Sequence, residues 1–307
     1  MTRQLIYSQT HEEIAAQINN WSGQSFRAKQ IWQGLYQQCY ADIDAFTTLP
    51  KTLRGKLSSF YSFCGLEPIK KIKSADEQTE KVLFQLSDKN TIESVLMHYR
   101  DRETVCVSTQ VGCAMGCTFC ATGQMGFYRN LSAGEIVEQV VYFERSLNQL
   151  DKKVSNIVLM GMGEPFQNFD NTIKAIDILH HPEGLNLGER RFTISKVGLL
   201  AKIREFADLH RQINLAVSLH TPFDEVRSRI IPINQHHPIQ EIMDAVAYYI
   251  EKTNRRVTFE IALIDGENDD SQTAEAVAEL LKGVLCHVNL IPVNPIGQDI
   301  KASSRSD

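Results

Sequence analysis

From Thr104 onward, short apolar runs rich in β-branched residues alternate with amphipathic stretches, and this alternation restricts the fold more than any other feature of the chain. The apolar runs are TVCVST, NIVLMGMG, RFTISKV, INLAVSLH, VTFEIALID and CHVNLIPVN. Between them, LSAGEIVEQVVYFERSL, NTIKAIDIL, GLLAKIREFADL, PIQEIMDAVAYYIEKT and SQTAEAVAELLKG carry helical periodicity. The first of these opens with Ser132-Ala133-Gly134-Glu135, a capping box whose side chains satisfy the free amides of the first turn. Six near-continuous apolar strands alternating with helices predict an α/β fold with a parallel sheet buried on both faces. Six units are too few for the eight-fold barrel, so a partial barrel and an open doubly wound sheet both fit. In either architecture ligands gather at the carboxyl ends of the strands, which here end in GCAMGC, GMGEP, SKVG, SLH and the Asn of IPVNP.

Residues 1–90 read as a different block. HEEIAAQINN and FRAKQIWQGLYQQC have helical periodicity, with Ile31, Trp32, Leu35 and Tyr36 on one face, and LPKTLRGKL continues in the same style. KVLFQLSDKNTIESVLMHYR predicts two strands around a Ser-Asp-Lys-Asn turn. The expected organisation is a small helical accessory module with the start of a hairpin over 1–90, and the main α/β domain over 91–307.

The charge balance of 32 Lys+Arg against 37 Asp+Glu, a net −5, rules out coating nucleic acid by overall charge. Between Arg27 and Lys73, however, eight basic residues face three acidic ones, which fits either a solvated surface or a local RNA-facing patch. The longest apolar runs, such as Asn156 to Met162, fall far short of the ~20 residues a membrane helix needs. The N-terminus MTRQLIYSQTHEE lacks the pattern of a signal peptide, so the expected compartment is the cytoplasm.

Seven cysteines are distributed unevenly. Cys39, Cys64 and Cys286 stand alone and read as small buried apolar residues, whereas Cys106, Cys113, Cys117 and Cys120 fall within fifteen residues. In a reducing compartment such a cluster points to metal binding or catalysis rather than to disulfides. Cys113-Ala-Met-Gly-Cys117-Thr-Phe-Cys120 directly follows a predicted strand, and three thiolates on one short loop can hold three corners of a cubane iron–sulfur cluster. Gly112 and Gly116 ease the tight wrapping. Structural zinc would require a fourth protein ligand, and no Cys or His follows in the expected place.

C-x3-C-x2-C with Phe119 before its last Cys resembles the signature of the radical S-adenosylmethionine superfamily. That resemblance implies a partial (β/α)6 barrel and a [4Fe-4S] cluster on Cys113, Cys117 and Cys120. It also implies that the open iron is chelated by S-adenosylmethionine, whose one-electron cleavage gives a 5′-deoxyadenosyl radical. Four longer segments, ETVCVSTQVGCAMGCTFCATGQMGFYRNLSAGEI, MGMGEPFQN, VSLHTPFDEVRSRIIPIN and HVNLIPVNP, resemble the 23S rRNA/tRNA adenine-C2 methyltransferases and their C8-methylating resistance relatives. The likeness runs from about Phe26 to Pro295. It implies structured RNA as substrate and an electron donor such as flavodoxin or ferredoxin.

Carried over position by position, the resemblance makes Gly163 and Glu164 the contact to the amino end of S-adenosylmethionine, a task that suits a carboxylate. It makes Ser195, Ser218, Leu219, His220 and Asn294 further cofactor contacts, although Lys196-Val197-Gly198 stands where family members have small hydroxylic residues. Cys106 corresponds to the resolving thiol that releases the methylated base from a covalent adduct. Glu93 corresponds to the proton acceptor. The family uses a second catalytic cysteine in a C-terminal segment of the type DIDAACGQL, and the 307 residues contain no such segment. The resemblance therefore implies either a shortened product or a protein without the methyl carrier. Two other readings follow: a radical enzyme of this superfamily with another substrate, and a catalytically incomplete RNA-binding or regulatory paralogue.

Overall fold

The computed structural model describes residues 3–21, 24–294, 296 and 300–303. In chain order its elements begin with β1 (Gln4–Leu5), α1 (His11–Asn20), α2 (Phe26–Tyr36), α3 (Lys51–Phe60), β2 (Tyr61–Ser62), β3 (Leu66–Lys73), β4 (Thr79–Leu86), β5 (Thr91–His98) and β6 (Glu103–Cys106). Then follow β7 (Gln110–Gly112), α4 (Ala121–Gln124), β8 (Phe127–Asn130), α5 (Ala133–Asn148), β9 (Asn156–Leu159), α6 (Phe169–His180) and β10 (Phe192–Lys196). The chain closes with α7 (Leu200–Asp208), β11 (Asn214–Ser218), α8 (Asp224–Ile230), α9 (Ile239–Thr253), β12 (Val257–Leu263), α10 (Ser271–Leu280) and β13 (Cys286–Pro292). They form two compact units: 1–111 with 130–161 and 168–192, and 112–129 with 162–167 and 193–307.

In the first unit, α1 and α5 start at capping boxes, Thr10 with Glu13 and the expected Ser132 with Glu135. The apolar face of α2 is buried as its periodicity requires, with Ile31, Trp32, Leu35 and Tyr36 all at 0% exposure. Burying Ile31 and Leu35 contributes about 1.5–3 kcal/mol of transfer free energy each. β4 and β5 form the predicted hairpin, closed by Leu86 N–H donating to Asn90 O at 2.8 Å. β3, a lysine-rich strand outside the expected elements, pairs antiparallel with β4. It carries Lys70, Lys71 and Lys73, so these three basic residues lie on a strand rather than on the helices. β5 pairs antiparallel with β6, and β6 pairs parallel with β9.

In the second unit, β10, β11, β12 and β13 pair in sequence, all parallel, with α7, α9 and α10 on the crossovers. With β6 and β9, the six predicted parallel strands are all present among the described residues. The strands are not uniformly buried. β13 is half-exposed to exposed over most of its length, because among the described strands it pairs only with β12. Two of the three isolated cysteines depart from expectation as well. Cys39 is buried, but Cys64 is exposed in a turn and Cys286 is half-buried at the start of β13. No helix among the described residues is long and apolar enough to cross a membrane.

Candidate cluster and cofactor site

The cysteine loop lies in the second unit. Gly112 has φ +72° and Gly116 φ +66°, the left-handed region that glycine adopts without penalty. A Cβ on Gly112 would stand 1.8 Å from the carbonyl oxygen of Gly126, so the loop closes only over glycine there. The closure is held by Cys113 N–H donating to Gly126 O at 2.9 Å, and Thr118 N–H donates to Ile230 O at 3.0 Å. Cys113 and Cys117 are buried in an apolar cluster with Met115, Ile230, Ile231, Ile264 and Val293, and the half-buried Cys120 and Phe119 pack against it. Burial raises the Cys113 thiol to about 11 and the Cys117 thiol to about 12, with the neighbouring thiols adding to the rise. Three converging thiols that resist ionisation on their own are a donor set that a cationic iron–sulfur core would stabilise as thiolates. Among the described residues no fourth cysteine joins this cluster. The residues fit a three-thiolate cluster.

The strand tips around the loop carry most of the other expected residues. Gly163 and Glu164 lie in the turn before Pro165, and Glu164 is only 2% exposed. Its carboxylate accepts from Phe166 N–H and Val197 N–H, both at 3.0 Å. Burial raises its pKa to about 7, against the pull of those two bonds and of Lys196. Ser195 is half-buried within β10 and Ser218 ends β11. Leu219 and His220 follow, both donating their backbone N–H groups to Glu260 O, at 3.1 and 3.2 Å.

His220 takes φ +62°, a strained setting for a residue with a Cβ. The neighbourhood over-determines it. Its Nδ1 accepts from Ala262 N–H at 2.9 Å, its carbonyl accepts from Asn268 at 2.6 Å, and Phe119 packs edge-on at 4.7 Å. Burial, together with the Arg227 cation, lowers its pKa to about 3, so the ring stays neutral. Asn294 is exposed, two residues beyond β13 and next to Val293 of the cysteine cluster.

Arg227 and Asn268 were not among the expected site residues, and Lys196 entered only as a departure from the family's pattern. Arg227 is fully buried and donates to Leu219 O at 3.1 Å, Val197 O at 2.7 Å, Ser218 O at 2.8 Å and Asn234 Oδ1 at 2.6 Å. One guanidinium thus joins the ends of β10 and β11. Asn268 bridges His220 O and Ala262 O. Lys196 is 1% exposed, its Nζ lies 4.9 Å from the centre of the Phe166 ring, and among the described residues that Nζ has no hydrogen-bond partner. The signal for Arg227 was a basic residue inside a segment already singled out, VSLHTPFDEVRSRIIPIN; nothing local marked Asn268.

Glu93 and Cys106 belong to the first unit. Cys106 ends β6 directly opposite Val95 of β5, and Glu93 lies two residues from Val95 on the same strand, so both side chains share one face. Diagonal neighbours of this kind have Cα atoms about 7–8 Å apart. Cys106 is half-buried, and burial raises its thiol to about 11. Glu93 pairs with Lys81 at 3.1 Å, and its carbonyl accepts from Ser108 Oγ at 2.6 Å.

Comparison with known proteins places these features. Residues 107–278 match the Radical SAM superfamily, and residues 6–62 match the ribosomal RNA large subunit methyltransferase N-terminal domain. The chain is 50% identical over 289 residues to a probable dual-specificity RNA methyltransferase RlmN of Geobacillus kaustophilus (strain HTA426), covering 94% of this chain and 79% of that protein. A protein of the same description from Bacillus subtilis (strain 168) is 47% identical over 292 residues, covering 95% and 80%. Among solved structures, a radical SAM methyltransferase from Sphaerobacter thermophilus superposes with a TM-score of 0.96 at 47% identity, covering 98% of this chain and 89% of that one.

Proposed function

Because the chain belongs to the radical S-adenosylmethionine superfamily and, within it, to the RlmN family of RNA methyltransferases, we propose that it methylates an adenine of structured RNA, in 23S rRNA or tRNA, using a [4Fe-4S] cluster and S-adenosylmethionine. The observation that carries this reading is the convergence of Cys113, Cys117 and Cys120 in one apolar cluster without a fourth thiol. These three would hold the cluster, which would supply the one-electron reduction of the cofactor's sulfonium.

The chain's own residues then have distinct tasks. Backbone N–H groups of Phe166 and Val197 donate to the Glu164 carboxylate, which fixes the turn from which its charge would meet the ammonium of the cofactor. Gly163, Ser195, Ser218, Leu219, His220 and Asn294 complete the cofactor contacts. The neutral His220 can offer a hydrogen bond without adding charge. Cys106 is the resolving thiol and Glu93 the base, and their shared face of the β5–β6 ladder supports that pairing.

The module over 1–90 presents the RNA. In α2, Phe26 is 49% exposed and Arg27 lies over its ring at 4.6 Å, a combination suited to stacking with an unpaired base. The working compartment is the cytoplasm, and the electron comes from a flavodoxin or ferredoxin.

The test is anaerobic reconstitution with iron and sulfide, then addition of reductant, S-adenosylmethionine labelled in its methyl group, and RNA. The expected results are 5′-deoxyadenosine and labelled methyladenine. Since the family's carrier cysteine stands in a segment these 307 residues do not contain, the RNA assay is run with and without a DIDAACGQL-type tail. Release of 5′-deoxyadenosine with no methyladenine in either arm would overturn the methyltransferase reading. Replacing Cys113, Cys117 or Cys120 by Ala should abolish iron loading.

A further inference from the structure

In the second unit, Ser218, Glu260 and Asn289 are register partners across three adjacent parallel strands, and they form one polar row. Ile261, Leu263, Val288 and Leu290 line a cavity with α10. Strand alternation therefore turns Glu260 and Asn289 to the opposite face of the sheet, the one that Ser218 shares.

Glu260 is only 6% exposed, and Asn289 Nδ2 donates to its Oε2 at 2.7 Å. No hydrogen bond to Oε1 is present among the described residues. A carboxylate so deeply placed is costly unless donors meet both oxygens, and the protein supplies a side-chain donor to one. The same residue's carbonyl receives Leu219 N–H and His220 N–H, so the carboxylate is mounted on the backbone frame that carries the expected cofactor segment.

A hydroxyl of a ribose diol is the donor that a fixed carboxylate oxygen at a nucleotide site ordinarily takes. We propose that Glu260, steadied by Asn289, accepts a hydrogen bond from a ribose hydroxyl of S-adenosylmethionine. This rests on the reading that these strand ends bind the cofactor. It adds a specificity-determining residue, one that distinguishes the ribonucleoside from its deoxy forms.

Equilibrium dialysis of the cluster-loaded protein, without RNA, tests it using S-adenosylmethionine and its 2′-deoxy and 3′-deoxy analogues. The wild-type protein should bind the natural cofactor about 10- to 100-fold more tightly than one of the analogues, the loss expected for one charge-assisted hydrogen bond. Glu260→Gln should bind the natural cofactor weaker by a similar factor and should lose the preference. Equal wild-type affinity for all three ligands overturns the inference, as does a preference that survives in Glu260→Gln, or a Glu260→Gln defect confined to RNA binding. Failure of the wild-type protein to bind S-adenosylmethionine at all overturns the cofactor reading itself, and the inference with it. Where the variant does not fold, the analogue comparison on wild-type protein still overturns the inference if the three affinities are equal.

Discussion

The guanidinium of Arg227 donates to the side-chain oxygen of Asn234 at 2.6 Å, and the rest of the same buried fork is spent on the carbonyls of Val197, Ser218 and Leu219. Asn234 in turn donates to Asp224 Oδ1 at 2.9 Å, which also accepts from Ile239 N–H. The ends of β10 and β11, proposed above to face the cofactor, are therefore held by one planar cation whose geometry lysine cannot reproduce.

Arg227→Met should leave four acceptors without this donor, two of them buried and two half-buried. The expected cost is about 3 kcal/mol or more, or a fall of roughly 6 °C or more in melting temperature. Arg227→Lys should recover only part of it. Differential scanning calorimetry of the three proteins checks this, and a Lys variant as stable as wild type would contradict it.

Through its proposed contact with the cofactor, Glu164 should link cofactor binding to pH. Its folded pKa, raised by burial to about 7, lies above the ordinary carboxylate value. The folded state therefore holds a proton that the unfolded state releases, and stability falls as pH rises from about 4.5 to 7. Cofactor affinity should move the opposite way, weakening about tenfold per unit below pH 7 as the carboxylate is neutralised. Glu164→Gln should bind poorly at every pH and show a flatter stability profile. Dialysis and melting curves between pH 5 and 8 measure both.

The closure at Gly112 predicts that Gly112→Ala loses the cluster. Its φ of +72° costs an alanine about 1–2 kcal/mol, and the contact with Gly126 O leaves the new methyl no room. Iron per chain after reconstitution should fall to a small fraction of wild type, while Gly188→Ala, which meets nothing within 4 Å, should load normally.

Cys106 and Glu93 should separate cofactor cleavage from product release. Cys106→Ala and Glu93→Gln should keep full iron content and 5′-deoxyadenosine formation but yield little methyladenine, in assays where the wild-type sequence carrying the C-terminal tail is active. Unchanged product from Cys106→Ala would remove it from the mechanism. Cys39→Ala serves as the comparison: its thiol lies 3.6 Å from Tyr36 O, and only a modest loss of stability is expected.

Much of the architecture was legible in local sequence because it is set by local forces. The six strand runs, the capping box at Ser132, the hairpin turn near Asn90 and the apolar face of α2 all follow from periodicity and turn chemistry within a few residues. α8 and β3 escaped. A seven-residue helix spans only two turns, and a lysine-rich strand such as β3 has no alternating apolar face to betray it.

What the sequence determined by itself was the spacing of Cys113, Cys117 and Cys120 on a strand-leaving loop, since those three donors lie within eight residues. Tertiary structure alone decided which polar residues of the strands face inward and what they meet. Lys196 ends a strand run, yet it is sealed over Phe166, and Glu260 interrupts an apolar run, yet it meets Asn289 from the neighbouring strand. The physical reason is range: a strand's periodicity fixes the two faces of each side chain's choice, but only the pairing of segments 29 to 42 residues apart determines which charges are desolvated and which donors reach them.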